Sequence, residues 1–319
     1  MANTFEVPRP VQDNQAPSPH QEKLMEAPTG DTDKHVPIAG MLWMCAATIF
    51  FSVSFTVVKG LQDDGITVYQ AVLFRQTLGI AVFMPMIISS GLSPLKTIVP
   101  VQHFYRAALG FAGMCTGYYS LSLINVADSV ALQFTLPFFT MFSAVLLLGE
   151  KIYSHRLMAT MVGFAGVLII VRPGFAEVNI GILFAIAASA FHSVSDTYAR
   201  YLARYDKIRT IMVFNFVFII PLAAIPAAIY WSPISFENLP QLILFGVAGI
   251  SAQFCLTRSF GLAQASLVSP ILFLRLPLVA VIAYYAFGQQ TEFWTWIGAS
   301  VIILATTWMA RIELGKRKE

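Results

Sequence analysis

His192, Asp196 and Arg200 recur at every fourth position of an otherwise apolar stretch, so a helix aligns them on one face. An imidazole titrating near ~6.5 beside a carboxylate is a pair that can carry a proton. The blander reading is an ion pair between Asp196 and Arg200. Arg75, Gln133, Gln253 and Arg275 stand near the middle of other long apolar runs, and Tyr118 closes a further one. A charge at the centre of a bilayer costs about 2.5–3.5 kcal/mol on insertion scales, so such groups must face protein or a wet cavity. Arginines and glutamines there can donate hydrogen bonds to a small molecule rich in acceptors. The expected binding set is therefore Arg75, Tyr118, Gln133, Gln253 and Arg275, with His192 and Asp196 as the proton-carrying pair. Arg275 is the sharpest of these, because no acid lies within a helical turn of it.

The elements that must hold these groups are membrane helices. Apolar residues make up 57% of the chain against 12% charged, and the mean hydropathy is +0.69, a balance that a water-covered surface does not show. Crossing ~30 Å of hydrocarbon takes roughly 20 apolar residues in a helix. Ten such spans are predicted: Ile38–Val58, Ile66–Ser89, Gln102–Leu123, Ala127–Leu148, Ser154–Val171, Asn179–Ala199, Ile208–Tyr230, Pro240–Leu262, Ser266–Phe287 and Phe293–Ala310. The fold class is an all-α integral membrane protein. Residues 1–37, with scattered prolines and few aliphatics, read as a disordered tail, and 312–319 as a short basic one. No cleaved leader is expected, since the first apolar stretch is late and long. Cys45, Cys115 and Cys255 all fall inside predicted spans as small core residues, and no metal or other cofactor is expected. The net charge of +3 calls for no nucleic acid.

Charge also orients the chain. With the N-terminal tail inside, the inner ends carry Lys96, Arg106, Lys151, Arg156, Arg200, Arg204, Lys207, Arg209, Arg311, Lys316, Arg317 and Lys318. The outer side has only Lys59 and Arg172, which places both termini in the cytoplasm and the chain in the cytoplasmic (inner) membrane.

The stretch FFSVSFTVVK (Phe50–Lys59) returns as FHSVSDTYAR (Phe191–Arg200). Laying Gly40–Leu61 on Gly181–Leu202 matches ten of 22 positions, with Phe51 and Phe55 facing His192 and Asp196. The same offset of 141 puts Pro85 on Pro226, an offset of 140 puts Pro137 on Pro277, and one of 139 puts Gly149 on Gly288. The repeat is therefore the whole half, 38–174 and 175–311. Five helices per half is an odd number, so the halves run in opposite senses. Two inverted five-helix repeats are the plan of secondary transporters, in which a substrate between the halves is exposed to each side in turn.

The stretch ADSVALQFTLPFFTMFSAVLLLGEKIYSHRLMATMVGFAGVLIIVRPG, from Ala127 to Gly174, resembles EamA-type transporters of the drug/metabolite transporter superfamily, as does FRQTLG (Phe74–Gly79). The likeness covers Pro37 to Arg311 and implies the same ten-helix plan. It departs at Gln289 and Gln290, where a second Gly-Glu would be usual. Relatives that expel cationic drugs are associated with a glutamate in the first helix, and none stands there in this chain.

The expected function is secondary transport of a small organic metabolite by alternating access. The first expectation is uptake of a vitamin or nucleoside-like compound such as riboflavin, with amino-acid or metabolite export as the rival. Aromatics beside the polar groups, Trp43, Tyr118, Tyr119, Phe134, Phe138 and Phe139, suit a planar cargo. Membrane lipid, protons and a second copy forming a homodimer are the other partners considered. A membrane enzyme is the alternative of another class; the chain carries no His-Glu-x-x-His, no paired intramembrane aspartates and no phosphate-binding Gly-Lys loop. Gly110, Gly113 and Gly117 are expected to let two helices approach closely, and Pro85, Pro137, Pro226 and Pro277 to bend four helices.

Overall fold

The computed structural model describes residues 37–89, 97–149, 154–172, 179–262 and 269–316. The expected disordered tail up to residue 36, together with Lys96, Glu150, Lys151, Arg317 and Lys318, lies outside them. Among the described residues every regular element is helical. These are α1 (Pro37–Asp63), α2 (Val68–Ser89), α3 (Pro100–Leu123), α4 (Val126–Gln133), α5 (Leu136–Leu148), α6 (Ser154–Val171), α7 (Ile180–Leu202), α8 (Ile208–Ile229), α9 (Leu239–Leu262), α10 (Arg275–Phe287) and α11 (Phe293–Lys316). A short 3-10 stretch, Ser269–Leu274, leads directly into α10.

Five stretches are long and apolar enough to cross a membrane by themselves: Ile38–Asp63, Val126–Leu148, Ile180–Leu202, Thr210–Ile229 and Phe236–Ser259. Shorter apolar helical runs occupy Met161–Val171, Ile271–Phe287 and Phe293–Ala305. α1 outlasts its predicted end, because Lys59 and Asp63 pair one turn apart and carry the helix on. α11 likewise runs into the segment expected as a tail.

Two of the expected proline bends are breaks. Pro137 sits in the first turn of α5 and Pro277 in the first turn of α10, where a missing N–H costs nothing. Ahead of each, the backbone tightens: Phe134 and Thr135 donate to Ala131 and Leu132 at 3.1 Å, and the second break is the 3-10 stretch itself. Each break leaves a carbonyl that a neighbouring helix satisfies. Ser189 Oγ of α7 donates to Gln133 O at 3.2 Å, and Thr48 Oγ1 of α1 donates to Ile271 O at 3.4 Å. Ser189 and Thr48 are themselves 141 residues apart in the repeated pattern. Both broken segments end alike, on Gly149 and Gly288 with φ of +68° and +65°. Pro85 and Pro226 stay inside continuous helices, joined in α8 by Pro221.

Helix pairs pack in matching sets. α3 lies along α7 as α9 lies along α1; α5 meets α7 as α10 meets α1; α6 pairs with α11 and α2 with α8. At the α6–α11 crossing, Gly166 and Gly298 oppose one another so closely that a Cβ on either would stand 2.8 Å or 2.5 Å from the other's carbonyl oxygen.

Hydrogen bonds gather alternate connections at one end of the bundle. Gln70 reaches Ser232 O (2.7 Å), Asn179 reaches Leu123 O (3.1 Å), the Val126 N–H reaches Gln289 (3.1 Å), and Arg172 pairs with Glu292. Asp128, in the first turn of α4, accepts from Thr295 Oγ1 of α11 at 2.6 Å. At the other end Asp206 accepts from Thr97 (2.6 Å) and meets His103 (2.8 Å), and Ser259 donates to Gly40 O (2.7 Å). Consecutive helices therefore run up and down between two ends.

Candidate functional site

A cavity of about 400 Å³ opens between α1, α2, α3, α7, α8 and α9, walled by both helix breaks. Arg75, Tyr118, Gln133, His192, Asp196, Gln253 and Arg275, which the sequence set apart, all line it. Gln133 is the last residue of α4 and Arg275 the first of α10, so the breaks place both at the wall.

Arg275 brings its guanidinium carbon 4.8 Å from the Phe55 ring centre and 5.7 Å from that of Phe134. Its Nε is buried and has no hydrogen-bond partner. Aromatic faces stabilise the cation without satisfying its N–H groups. Arg75 is held differently: its Nη1 donates to the Tyr118 hydroxyl at 2.6 Å and touches Met114 Sδ at 3.8 Å. It passes so close to α9 that a Cβ on Gly249 would stand 2.8 Å from its Nε. Tyr118 is 4% exposed and meets Phe55 and Phe245 edge to face at 5.9 and 5.7 Å. This aromatic cluster closes the cavity toward the end that holds Gln62, whose side chain donates to Tyr118 O (2.9 Å). From there the cavity runs toward Arg106, Met212 and Leu256 near the opposite end.

His192 packs on the glycine face of α3: a Cβ on Gly113 would lie 3.0 Å from its ring. Gly110 and Gly117 admit Ser195 and Ala188 in the same way, so the glycines let α3 and α7 approach, as their spacing predicts. Arg75 and Arg275 both act on His192 electrostatically.

The ion pair considered for Asp196 and Arg200 is not formed. Among the described residues Asp196 has neither an ion pair nor a hydrogen bond, and it shares the cavity lining with Arg106 rather than with Arg200. Its carboxylate surface opens into the cavity. The spacing along α7 had no means of registering a charge arriving from α3. Arg106, expected only as an inner-end charge, is the charged lining residue missed, with Asn215 and Gln76 also on the lining. The signal was present, since Arg106, Gly110, Gly113 and Gly117 fall on one helical face.

Other expectations move outward. Trp43 pairs with Phe254 (5.9 Å), and Arg258 lies exposed over the same ring. Tyr119 belongs to a separate groove of about 580 Å³ with Tyr69, Phe184 and Tyr230. Phe138 packs against Gly163 of α6, and Phe139 is absent from the cavity wall. In their place Phe51, Phe55 and Phe216 supply the aromatic lining. Cys45 is exposed rather than in the core, and all three cysteines are free.

A multi-pass helical membrane protein with a central polar cavity between matching sets of helices is the class that fold and site define. Comparison with known proteins makes it specific: the EamA-like transporter family model matches residues 38–172 and again 179–311, and the chain belongs to that family. It is 31% identical over 247 residues to an S-adenosylmethionine uptake transporter of Rickettsia bellii, covering 77% of this chain and 84% of the relative. It is 26% identical over 284 residues to a riboflavin transporter of Rhizobium johnstonii, covering 88% and 94%. A solved crystal structure shares the fold with a TM-score of 0.57 at 18% identity, covering 88% of this chain and 99% of its own. The chain is a secondary transporter of metabolites by its family.

Proposed function

We propose that this protein takes up a planar, acceptor-rich metabolite of the vitamin or nucleoside type across the cytoplasmic membrane by alternating access. The observation that carries this reading is the pair of arginines in one cavity: Arg275, stacked on Phe55 and Phe134 with a buried unpartnered Nε, and Arg75, held by Tyr118. Guanidinium groups on the lining beside the Phe51, Phe55 and Phe216 rings suit the carbonyls and ring nitrogens of such a cargo. Gln133 and Gln253 add amide donors and acceptors to the same wall. The cavity falls within the ~300–1,000 Å³ of ordinary ligand sites. A relative named for S-adenosylmethionine uptake supports the direction, and it and a relative named a riboflavin transporter support the cargo type.

The architecture behind this reading is ten crossings in two inverted five-helix repeats, with both termini in the cytoplasm. The matching helix pairs, the paired breaks and the duplicate family match support it. In that orientation the cavity extends toward the cytoplasm and the Tyr118 cluster closes the outer side. His192 and Asp196 are the residues proposed to couple uptake to protons.

Proteoliposomes holding the purified chain should show saturable uptake of labelled riboflavin or S-adenosylmethionine, accelerated by the same compound inside. Uptake that neither saturates nor shows counterflow would sink the transporter mechanism proposed here. For topology, reporters after Asp64 should read outside and those after Lys207 cytoplasm; a shared compartment would end the inverted-repeat reading.

A further inference from the structure

Arg106 and Asp196 are the two charges in the cavity that the ring-binding arginines leave unexplained. Both line the cavity at the α3–α7 crossing, where Ser195 Oγ donates to Arg106 O at 2.8 Å and ties the two helices together. Arg106 is anchored on one side only: its Nη1 donates to Asn215 Oδ1 at 2.7 Å and to Ile211 O at 3.4 Å, while its Nε is buried without a partner. Asp196 opens its carboxylate into the same space with no hydrogen bond and no ion pair. A guanidinium and a carboxylate that line one cavity without pairing offer opposite charges to the two ends of a zwitterion whenever Asp196 is ionised.

We propose that Arg106 and Asp196 form a subsite for a zwitterionic α-amino-acid head group, Arg106 receiving the carboxylate and Asp196 the ammonium. This inference rests on the uptake reading above and narrows its cargo to a heteroaromatic or nucleoside moiety that carries an amino-acid arm. The ring would lie by Arg275, Phe55 and Phe134, with the arm directed toward Arg106 and Asp196 along the length of the cavity. Charge-assisted hydrogen bonds at both ends of the head group are about twice as strong as neutral ones, and a cargo without the arm leaves both charges unpaired.

The test is equilibrium binding to the purified full chain of S-adenosylhomocysteine and of 5′-methylthioadenosine, two thioethers of one nucleoside with no charge on sulfur, of which only the first carries the amino-acid arm, with riboflavin as a third probe. The wild type should prefer the arm-bearing compound by about tenfold or more, the scale of one charge-assisted contact. In Arg106→Gln and in Asp196→Asn that ratio should fall toward one. A wild-type ratio near one overturns the subsite and leaves the uptake reading intact if riboflavin or the nucleosides bind. So does a ratio that survives both substitutions while both affinities drop together, which is what a merely structural role predicts. Failure of all three probes to bind or to be carried overturns the uptake reading, and the head-group subsite with it.

Discussion

Phe55 and Asp196 hold corresponding places in the two copies of one repeated phrase, and both side chains face the same cavity. The ring lies 4.8 Å from the Arg275 guanidinium, while the carboxylate answers Arg106. Phe51 against His192 and Arg75 against Phe216 repeat the exchange at the same offset, and these four also line the cavity. At each of these three matched pairs one position brings an ionisable side chain to the cavity and the other an aromatic ring. Phe55→Leu keeps an apolar side chain but removes the ring face from Arg275, a contact of about 0.5–2 kcal/mol. Half-saturation for cargo should rise about two- to thirtyfold with membrane abundance unchanged, as read by concentration-dependent uptake.

Arg275 should not tolerate lysine. A lysine keeps the charge but loses the planar fork that lies against two rings and still presents N–H groups edge-on. Arg275→Lys is expected to lower uptake about tenfold or more at normal membrane abundance. Wild-type uptake by Arg275→Gln at wild-type abundance would remove this residue from the site.

Much of this arrangement was legible because apolar length, repeat offset and isolated polar residues are properties of the chain read in order. Ser52, Ser54 and Thr56 against Ser193, Ser195 and Thr197 reveal the duplication, and the same residues are buried in both helices. What stayed hidden depends on which helix arrives from elsewhere. Arg106 reads as a cytoplasmic rim charge until α3 is seen to lie along α7. Pro137 and Pro277 read as bends until the 3-10 geometry ahead of each shows that a new helix begins there. Trp43 and Tyr119 read as site aromatics because composition does not say which face of a span is turned inward.

The α6–α11 crossing is a packing element remote from the cavity. A methyl group at Gly166 or Gly298 meets backbone oxygen, which cannot swing away as a side chain tip would. Gly298→Ala should therefore lower the unfolding midpoint in detergent and the amount of protein in the membrane. Per molecule inserted, uptake should stay near wild type. An unchanged midpoint would show that the two helices can separate at no cost.

His192 packs against the bare backbone of Gly113 and shares the cavity lining with Arg75 and Arg275, so a change in its charge bears on the part of the cavity proposed to hold the cargo's ring. If it carries the coupling proton, His192→Gln should lose accumulation driven by an imposed pH gradient while keeping exchange of cargo for cargo. Full gradient-driven accumulation in His192→Gln proteoliposomes would transfer the proton role to Asp196 or remove it altogether.

Asp196 has two arginines within electrostatic reach, and a double-mutant cycle separates them. Were its partner Arg200, as i,i+4 spacing on α7 permits, then Asp196→Asn combined with Arg200→Gln would leave neither charge unpaired and would recover most of what the single change loses. The structure shows no such pair and places Arg106, not Arg200, on the cavity lining with Asp196. Residues that serve one ligand group together show coupling of about 0.5–3 kcal/mol, whereas independent sites simply add. The affinity for S-adenosylmethionine should accordingly fall less in Asp196→Asn/Arg106→Gln than the product of the two single losses, by about two- to a hundredfold. The Asp196→Asn/Arg200→Gln protein should match the product of its single changes. Coupling to Arg200 and additivity with Arg106 would reverse the assignment and return Asp196 to a structural role at the end of α7.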